Sequence, residues 1–383
     1  MNDVAVVGDT ADSMDWLNSR PGRQRCPNDS GYVTYRSPRG ALHSPENEQA
    51  QPMRKRAKET AMNSRRRFDG RIAVITGAAG GLGRAYAHLL AAEGASVVVN
   101  DLPSAAGPLS AEAVADEIIA AGGSAVADCH DVTTNAAKII DTAVRTWGKI
   151  DLLVNNAGAT DGGQIDEMPE AQLDRLIDVN LRGTVAVTRA AWPILRRQRF
   201  GRIVNTASGS VLGLQGCYAY QTTKASIIGL TRALALDGAQ HGIKVNAVNP
   251  IAYTRMTAQI PDPAFRQFLV EYFQPEQAAA FVGALLSDEV PCSGELFSVG
   301  GGIAARVVLA FNAGYVAGRN ATIDDYLSNF ATIRNMDNLT VPAHAADEIS
   351  LRARQVGAGQ QYGTSDANAP DWSSPSTIRS PLS

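Results

Sequence analysis

The sequence predicts an α/β protein built on a doubly wound parallel sheet of seven strands flanked by helices, and two observations carry that prediction. From Arg71 to about Gly302, short apolar runs rich in Val and Ile alternate with longer amphipathic stretches, the pattern of strands buried on both faces beneath crossover helices. The first apolar run also leads through a glycine-rich turn into an amphipathic segment, the order needed to bind a phosphate at a helix N-terminus. The expected strands are Ile72–Thr76, Ser96–Asn100, Ser124–Ala127, Ile150–Asn155, Arg202–Thr206, Lys244–Val248 and Glu295–Ser298. Right-handed crossovers between them place any ligand beyond the carboxyl ends of the strands.

The flanks read differently. Residues 1 to about 67 lack sustained periodicity, are rich in Pro, Ser, Asn, Arg and Gln, and are expected to form a disordered arm ending in the basic clusters Arg54-Lys55-Arg56 and Arg65-Arg66-Arg67. Met62 offers a start just ahead of the first strand, and short basic tracts are ordinarily solvated, so nucleic-acid binding is not expected. Residues 303 to 356 read as a partly helical extension, with an apolar piece Val307–Phe311 and helices Ile323–Arg334, capped by Thr322, and Ala345–Arg354. The Gly, Ser, Pro and Asn content from 357 to 383 predicts a disordered tail.

Composition narrows the function classes. The chain has 383 residues, 45% of them hydrophobic, and a formal net charge of -3. Its four cysteines form no CxxC pair and its five histidines no HExxH motif, so neither a disulfide framework nor a zinc site is expected. Without an unbroken apolar run of spanning length or a basic-then-apolar leader, a reduced cytoplasmic setting is expected and a membrane partner is not.

The turn Thr76-Gly77-Ala78-Ala79-Gly80-Gly81-Leu82-Gly83 follows the first strand. Glycines there allow a sharp turn and close approach of a pyrophosphate, while the free amides of the following helix attract its charge. The loop lacks the Lys-Ser or Lys-Thr ending of a nucleoside triphosphatase. Asp101, followed by Leu102, ends the second strand eighteen positions after Gly83, where a carboxylate can accept ribose hydroxyls. It would repel a ribose phosphate, and no Arg or Lys in the loop or just after Asp101 offsets it, so NAD is expected over NADP. Tyr220 and Lys224 stand four residues apart, which on a helix stacks a phenol and an ammonium on one face as an acid/base pair.

With these residues the chain resembles the short-chain dehydrogenase/reductase family, which has the Rossmann fold. TGxxxGxG at Thr76 to Gly83 and Asp101 are followed in order by Asp131-Val132, Asn155-Asn156-Ala157-Gly158, Asn180, Ser208, Tyr220, Lys224, Asn249-Pro250 and Thr254. The resemblance covers roughly residues 70 to 302. It implies that Tyr220 is the general acid/base, that Lys224 lowers its pKa and holds the nicotinamide ribose, that Ser208 bonds the substrate oxygen, and that Asn180 holds a water linking Lys224 to solvent. It further implies cofactor contacts from Gly77, Gly81, Leu82, Gly83, Asp101, Leu102, Asp131, Val132, Asn156, Tyr220, Lys224, Ile251 and Thr254. Two departures stand out: Ile251 replaces the usual glycine after Pro250, and the Ser208-to-Tyr220 spacing of twelve is one short, which leaves Ser210 as an alternative.

The implied reaction is hydride transfer between NAD and a secondary alcohol or ketone. An apolar, aromatic segment after the sixth strand, Ala252 to Phe273, suggests an apolar substrate. Val97 to Leu102 with Gly83-Arg84-Ala85-Tyr86 is similar to the dehydrogenase unit of multifunctional enzymes acting on 3-hydroxyacyl-CoA and 17-hydroxysteroids. The family implies a homotetramer or homodimer formed through the long helices expected at Ala171–Gln198 and Ala219–Gly238. A dinucleotide-sensing protein on the same fold is the non-enzymatic alternative, but it has no need of Ser208, Tyr220 and Lys224 together.

Overall fold

The computed structural model describes residues 66–103 and 110–357. The expected N-terminal arm up to residue 65 and the tail beyond Gly357 lie outside the described residues. A single sheet of order β3-β2-β1-β4-β5-β6-β7-β8 organises the fold. Its strands are β1 Ile72–Thr76, β2 Ser96–Asn100, β3 Ser124–Asp128, β4 Leu152–Asn155, β5 Gly201–Thr206, β6 Ile243–Pro250, β7 Leu296–Gly300 and β8 Ile303–Val307. The first seven run parallel, and the order reverses between β1 and β4, which opens a crevice at their carboxyl ends.

The central strands are continuous apolar runs because both their faces are covered. Period-two alternation sends Ala73 and Ile75 into one core with Val97, Val99, Leu152 and Val154, and Ile72 and Val74 into the other with Val98 and Leu153. Helices α1 Gly81–Ala92, α2 Ala111–Ala120 and α8 Pro275–Leu286, the last of which follows α7 Pro263–Tyr272, cover the first face. Helices α3 Ala136–Trp147, α5 Thr184–Gln198 and α6 Tyr218–Ala239 cover the second. The register sets Thr76 level with Asn100, and Asn155 level with Asn205, so the polar strand ends gather along the crevice.

Three features depart from the sequence expectation. The sheet has eight strands rather than seven, because β8 folds back antiparallel onto β7. Gly301 and Gly302, at φ 59° and 75°, form the two-residue turn that makes this hairpin possible. The expected helix Ala171–Gln198 is α4 Glu170–Leu176, a π-helical stretch Ile177–Gly183 and α5 in succession. A Cβ on Gly183 would lie 2.7 Å from Val132 Cγ2, so this stretch sits hard against the loop after β3.

In the extension, the expected helix Ile323–Arg334 breaks into α9 Ile323–Ser328 and α10 Phe330–Ile333. Asn329 donates its side-chain amide to the Asp325 carbonyl at 2.8 Å while its backbone amide turns to Tyr326, so the side chain takes the helical acceptor. Thr322 caps α9 as expected, in a reciprocal capping box with Asp325. The last helix, α11 Ala345–Gln355, matches the expectation almost to the residue. Among the described residues, no helix is long and apolar enough to cross a membrane.

Candidate active site

Ser208, Tyr220, Lys224 and Asn180 come together at the carboxyl ends of β4 and β5. Ser208 leaves β5 and caps a single 3-10 turn, Gly209–Leu212, accepting the Ser210 amide at 3.2 Å. Tyr220 and Lys224 share the first turns of α6, and the helix is long enough for its packed middle to fix both side chains. Lys224 is 4% exposed, and its ammonium donates to the Thr206 carbonyl at 2.9 Å. The same nitrogen lies 5.9 Å from the centre of the Tyr220 ring.

Burial dominates the titration of both groups. It pushes the Tyr220 phenol up, a hydrogen bond with Ser208 pulls it back down, and the nearby Cys217 thiol adds to the rise. Burial lowers Lys224 from 10.5 to about 8, because a charged amine is costly away from water. The sequence expectation that the lysine charge depresses the phenol is therefore opposed by desolvation, and Ser208 is the group that favours the phenolate.

Asn180 is fully buried and its side chain is saturated. Its Oδ1 accepts the Ala159 amide at 2.8 Å, and its Nδ2 donates to the Ala159 carbonyl and to Thr223 Oγ1, both at 3.0 Å. Thr223 in turn donates to the Tyr220 carbonyl at 2.9 Å, so Asn180 ties the loop after β4 to the helix that carries the acid/base pair. The π-helical stretch widens the helix here and brings Asn180 inward, a distortion frequent at functional sites. Gly158 completes this contact: a Cβ there would lie 3.2 Å from Lys224 Nζ and 3.3 Å from Asn180 Oδ1.

The glycine loop lies at the other end of the crevice. Gly77 has φ 65°, and a Cβ on Gly83 would lie 2.2 Å from the Gly77 carbonyl oxygen, so neither position tolerates a side chain. Gly81 and Leu82 open α1, and no side chain caps that N-terminus, which leaves its amides to an anion. Thr254 packs its methyl 3.2 Å from where a Cβ of Gly81 would be, while its amide is held by Thr257 Oγ1 at 2.7 Å. Ile251, beside it, is exposed and donates its amide to the Val299 carbonyl at 2.8 Å.

Asp101 accepts the Ala79 amide of the loop at 2.9 Å through Oδ2 and the Leu102 amide at 2.9 Å through Oδ1. It holds the loop as well as facing the crevice, and Leu102 beside it is half exposed. Asn156 donates its side-chain amide to the Thr76 and Gly77 carbonyls at 3.0 and 2.9 Å, so its visible role is to brace the loop from behind. Asp131 accepts Thr133 Oγ1 and the Thr133 amide at 2.8 and 2.7 Å, and Val132 is buried against Gly183. These last two residues form the floor of the loop after β3, with their side chains engaged by protein.

Among the described residues, four buried polar atoms near the crevice lack protein partners: Asn155 Oδ1, Thr206 Oγ1, Ser210 Oγ and Asn249 Oδ1. Buried polar groups are nearly always paired, so unpaired ones at the strand ends fit a site that receives a polar ligand. With the uncapped α1 terminus and the glycine cradle, the residues present fit a dinucleotide lying across the crevice.

One polar cluster has no counterpart in the sequence reading. Asp128, buried at the end of β3, accepts Asn100 Nδ2 at 2.8 Å, Thr142 Oγ1 at 2.7 Å, and the His130 ring and amide nitrogens at 2.9 and 3.1 Å. Burial alone would raise this carboxyl, but the bonds from Thr142, His130 and Asn100 together carry it below the usual range. The cluster joins the ends of β2 and β3 to α3 immediately behind Asp101 and Asp131. An acidic residue at the end of a strand beside a histidine is the only sequence signal for it.

The comparisons with known proteins agree with this geometry. The family model described as short chain dehydrogenase matches residues 71–264. The peroxisomal hydratase-dehydrogenase-epimerase of Neurospora crassa is 35% identical over 302 residues, which make up 76% of this chain and 33% of that protein. The chain thus spans about a third of that relative's length. A crystal structure of a short chain dehydrogenase from Mycobacterium avium superimposes with a TM-score of 0.61 at 34% identity, covering 70% of this chain and 97% of that one. A 7α-hydroxysteroid dehydrogenase complexed with NADH and 7-oxo glycochenodeoxycholic acid does so with a TM-score of 0.57 at 30% identity, covering 62% and 96%.

Proposed function

The chain belongs to the short-chain dehydrogenase family, and we propose that it transfers a hydride between NAD(H) and the carbinol carbon of an apolar secondary alcohol or its ketone. The observation that carries the reading is the convergence of Ser208, Tyr220 and the buried Lys224 at one end of a crevice whose other end is the uncapped glycine loop. When bound, the nicotinamide supplies the hydride chemistry. Tyr220 gives a proton to the carbonyl oxygen in reduction, or takes one from the hydroxyl in oxidation. Ser208 has one hydroxyl proton: while bonded to Tyr220 it favours the phenolate, and turned to the substrate oxygen it stabilises the charge that develops there.

Lys224 keeps a positive charge near the phenol below pH about 8, and the crevice amides and Lys224 together orient the cofactor. Asn180 holds the backbone on either side of this pair. NAD rather than NADP is preferred because the Asp101 carboxylate would repel a ribose phosphate. Support for a nicotinamide cofactor comes from the steroid dehydrogenase neighbour, whose structure holds NADH. Self-association through α5 and α6 and a cytoplasmic setting complete the proposal.

The cofactor part is tested by comparing kcat/KM for NAD and NADP with one alcohol substrate, in the wild type and in Asp101→Ser. We expect the wild type to favour NAD by at least about tenfold, the effect of one unfavourable charge contact of about 1.4 kcal/mol, and the variant to lose most of that margin. A wild-type preference for NADP would overturn the role given to Asp101.

A further inference from the structure

We propose that the C-terminal extension positions the catalytic helix, with Val307 and Arg232 as the residues through which it holds Tyr220 and Lys224 in register with Ser208. The inference rests on the hydride-transfer reading and gives the extension a part in it. The first two turns of the 22-residue α6 carry the acid/base pair, so whatever fixes the rest of that helix also fixes the pair.

The first attachment is apolar. β8 ends at Val307, level with Leu296 of β7, and packs there on a small core of Ala207, Ile227, Ala247 and Leu296, with Ile228 and Leu230 alongside. Ala207 lies between Ser208 and Thr206, whose carbonyl accepts the Lys224 ammonium at 2.9 Å. Ile227 is buried on α6 one turn beyond Lys224. The extension thus backs the same end of β5 and the same turns of α6 that the site brings together.

The second attachment is polar. Arg232, about 12 Å along the helix from Lys224, donates to the Pro342 and Ala343 carbonyls at 3.1 and 2.8 Å. Those carbonyls are themselves fixed. Asp347 of α11 accepts the Ala343 and His344 amides at 2.8 and 3.2 Å, and Thr340 exchanges two backbone bonds with Phe311 at 3.0 and 2.8 Å. Arg352 of α11 lies over the Phe311 ring, 5.3 Å from its centre. Phe311 follows shortly after Val307, so the two attachments are joined through the extension itself.

A displacement of about 1 Å at reacting groups costs on the order of a hundredfold in rate. A shift of α6 by that amount would loosen the Lys224 contact with Thr206 and the Ser208 bond to Tyr220, and leave the glycine loop at the far end of the crevice in place.

The test compares the full chain with Arg232→Ala, Arg232→Lys, Val307→Ala and Thr322→Ala, using NAD and a secondary alcohol, each well below its own unfolding temperature. In Arg232→Ala and Val307→Ala, kcat should fall by about tenfold or more while KM and NADH affinity move by less than about threefold. Arg232→Lys, which keeps the charge and a donor, should recover most of the loss. The rising limb of the pH profile for alcohol oxidation should move to higher pH in the two alanine variants, because the Ser208 bond lowers the Tyr220 phenol. Thr322→Ala uncaps α9 and leaves both attachments in place, so its kcat and pH profile should match the wild type. Amide hydrogen exchange over residues 221–231 in the NADH complex reads the brace without turnover, and should quicken by about tenfold or more in Arg232→Ala and Val307→Ala. Unchanged kcat and exchange in both alanine variants would overturn the inference, as would an equal loss of kcat in Thr322→Ala. Absence of turnover by the wild type with every alcohol would instead count against the hydride-transfer reading, and the exchange rates would still decide whether the extension holds α6.

Discussion

Lys224 shows how one side chain is held against its own preference. Its ammonium is buried with one carbonyl partner, and its pKa falls from 10.5 to about 8, so the folded state binds a proton less readily than the unfolded chain. The unfolded state then carries more protons between pH 8 and 10.5, so stability is depressed below pH 8 and recovers as the pH rises through that window. The depression is about 3 kcal/mol at most, and freeing the Thr206 carbonyl by mutation gives back about 1 kcal/mol or more of it. Lys224→Met should accordingly stabilise the cofactor-free protein by about 1–2 kcal/mol at pH 7 in urea denaturation while removing activity. A less stable variant would show that the buried amine stabilises the fold. The Tyr220 and Lys224 pair was legible because helical spacing alone places the two groups together. Gly158 was legible as part of the Asn155-Asn156-Ala157-Gly158 motif, but its contact with Lys224 and Asn180 was not, because it depends on three segments distant in sequence.

At the level of elements, the glycine loop is held by side chains from its neighbours. Asn156 braces it from the end of β4, Asp101 from the end of β2, and the Asp128 cluster sets the end of β2 through Asn100. Asp128→Asn removes one acceptor from a four-donor site and should cost about 1–3 kcal/mol at pH 7. Because folding lowers the Asp128 pKa, its contribution is present above the unfolded value near 4 and is lost as the pH falls through the folded value. The stability gap between wild type and variant should therefore narrow below pH about 4. Weaker NADH binding, by severalfold in fluorescence titration, should accompany the loss at pH 7. Unchanged NADH affinity would show that the cluster supports the sheet edge alone. The strands themselves were readable from Val and Ile runs, whereas β8 was missed because Gly301-Gly302 reads as the end of a domain when its neighbours are taken as a coil. An adjacent Gly-Gly pair is one of the sequence signals of a two-residue hairpin turn, and that signal was available.

The whole molecule places two unlike ends of a crevice on one rigid sheet. The parallel strands end level with one another, the order reverses between β1 and β4, and the two functional ends flank that reversal. Beyond the sheet, the extension is tied back onto α6 by Arg232, which donates to the Pro342 and Ala343 carbonyls at 3.1 and 2.8 Å. This clasp had no sequence signal, because it joins residues more than a hundred positions apart. Such long-range ties define the part of the fold that periodicity cannot reach. The central claim, that this arrangement moves a proton through Tyr220 as a hydride is transferred, is tested most directly by Tyr220→Phe. The variant keeps the ring and its packing and loses only the hydroxyl. Turnover of a secondary alcohol with NAD should fall by about 10²- to 10⁴-fold, the usual share of general acid/base catalysis, with NADH affinity changed by less than about twofold. Turnover undiminished in Tyr220→Phe would contradict the account.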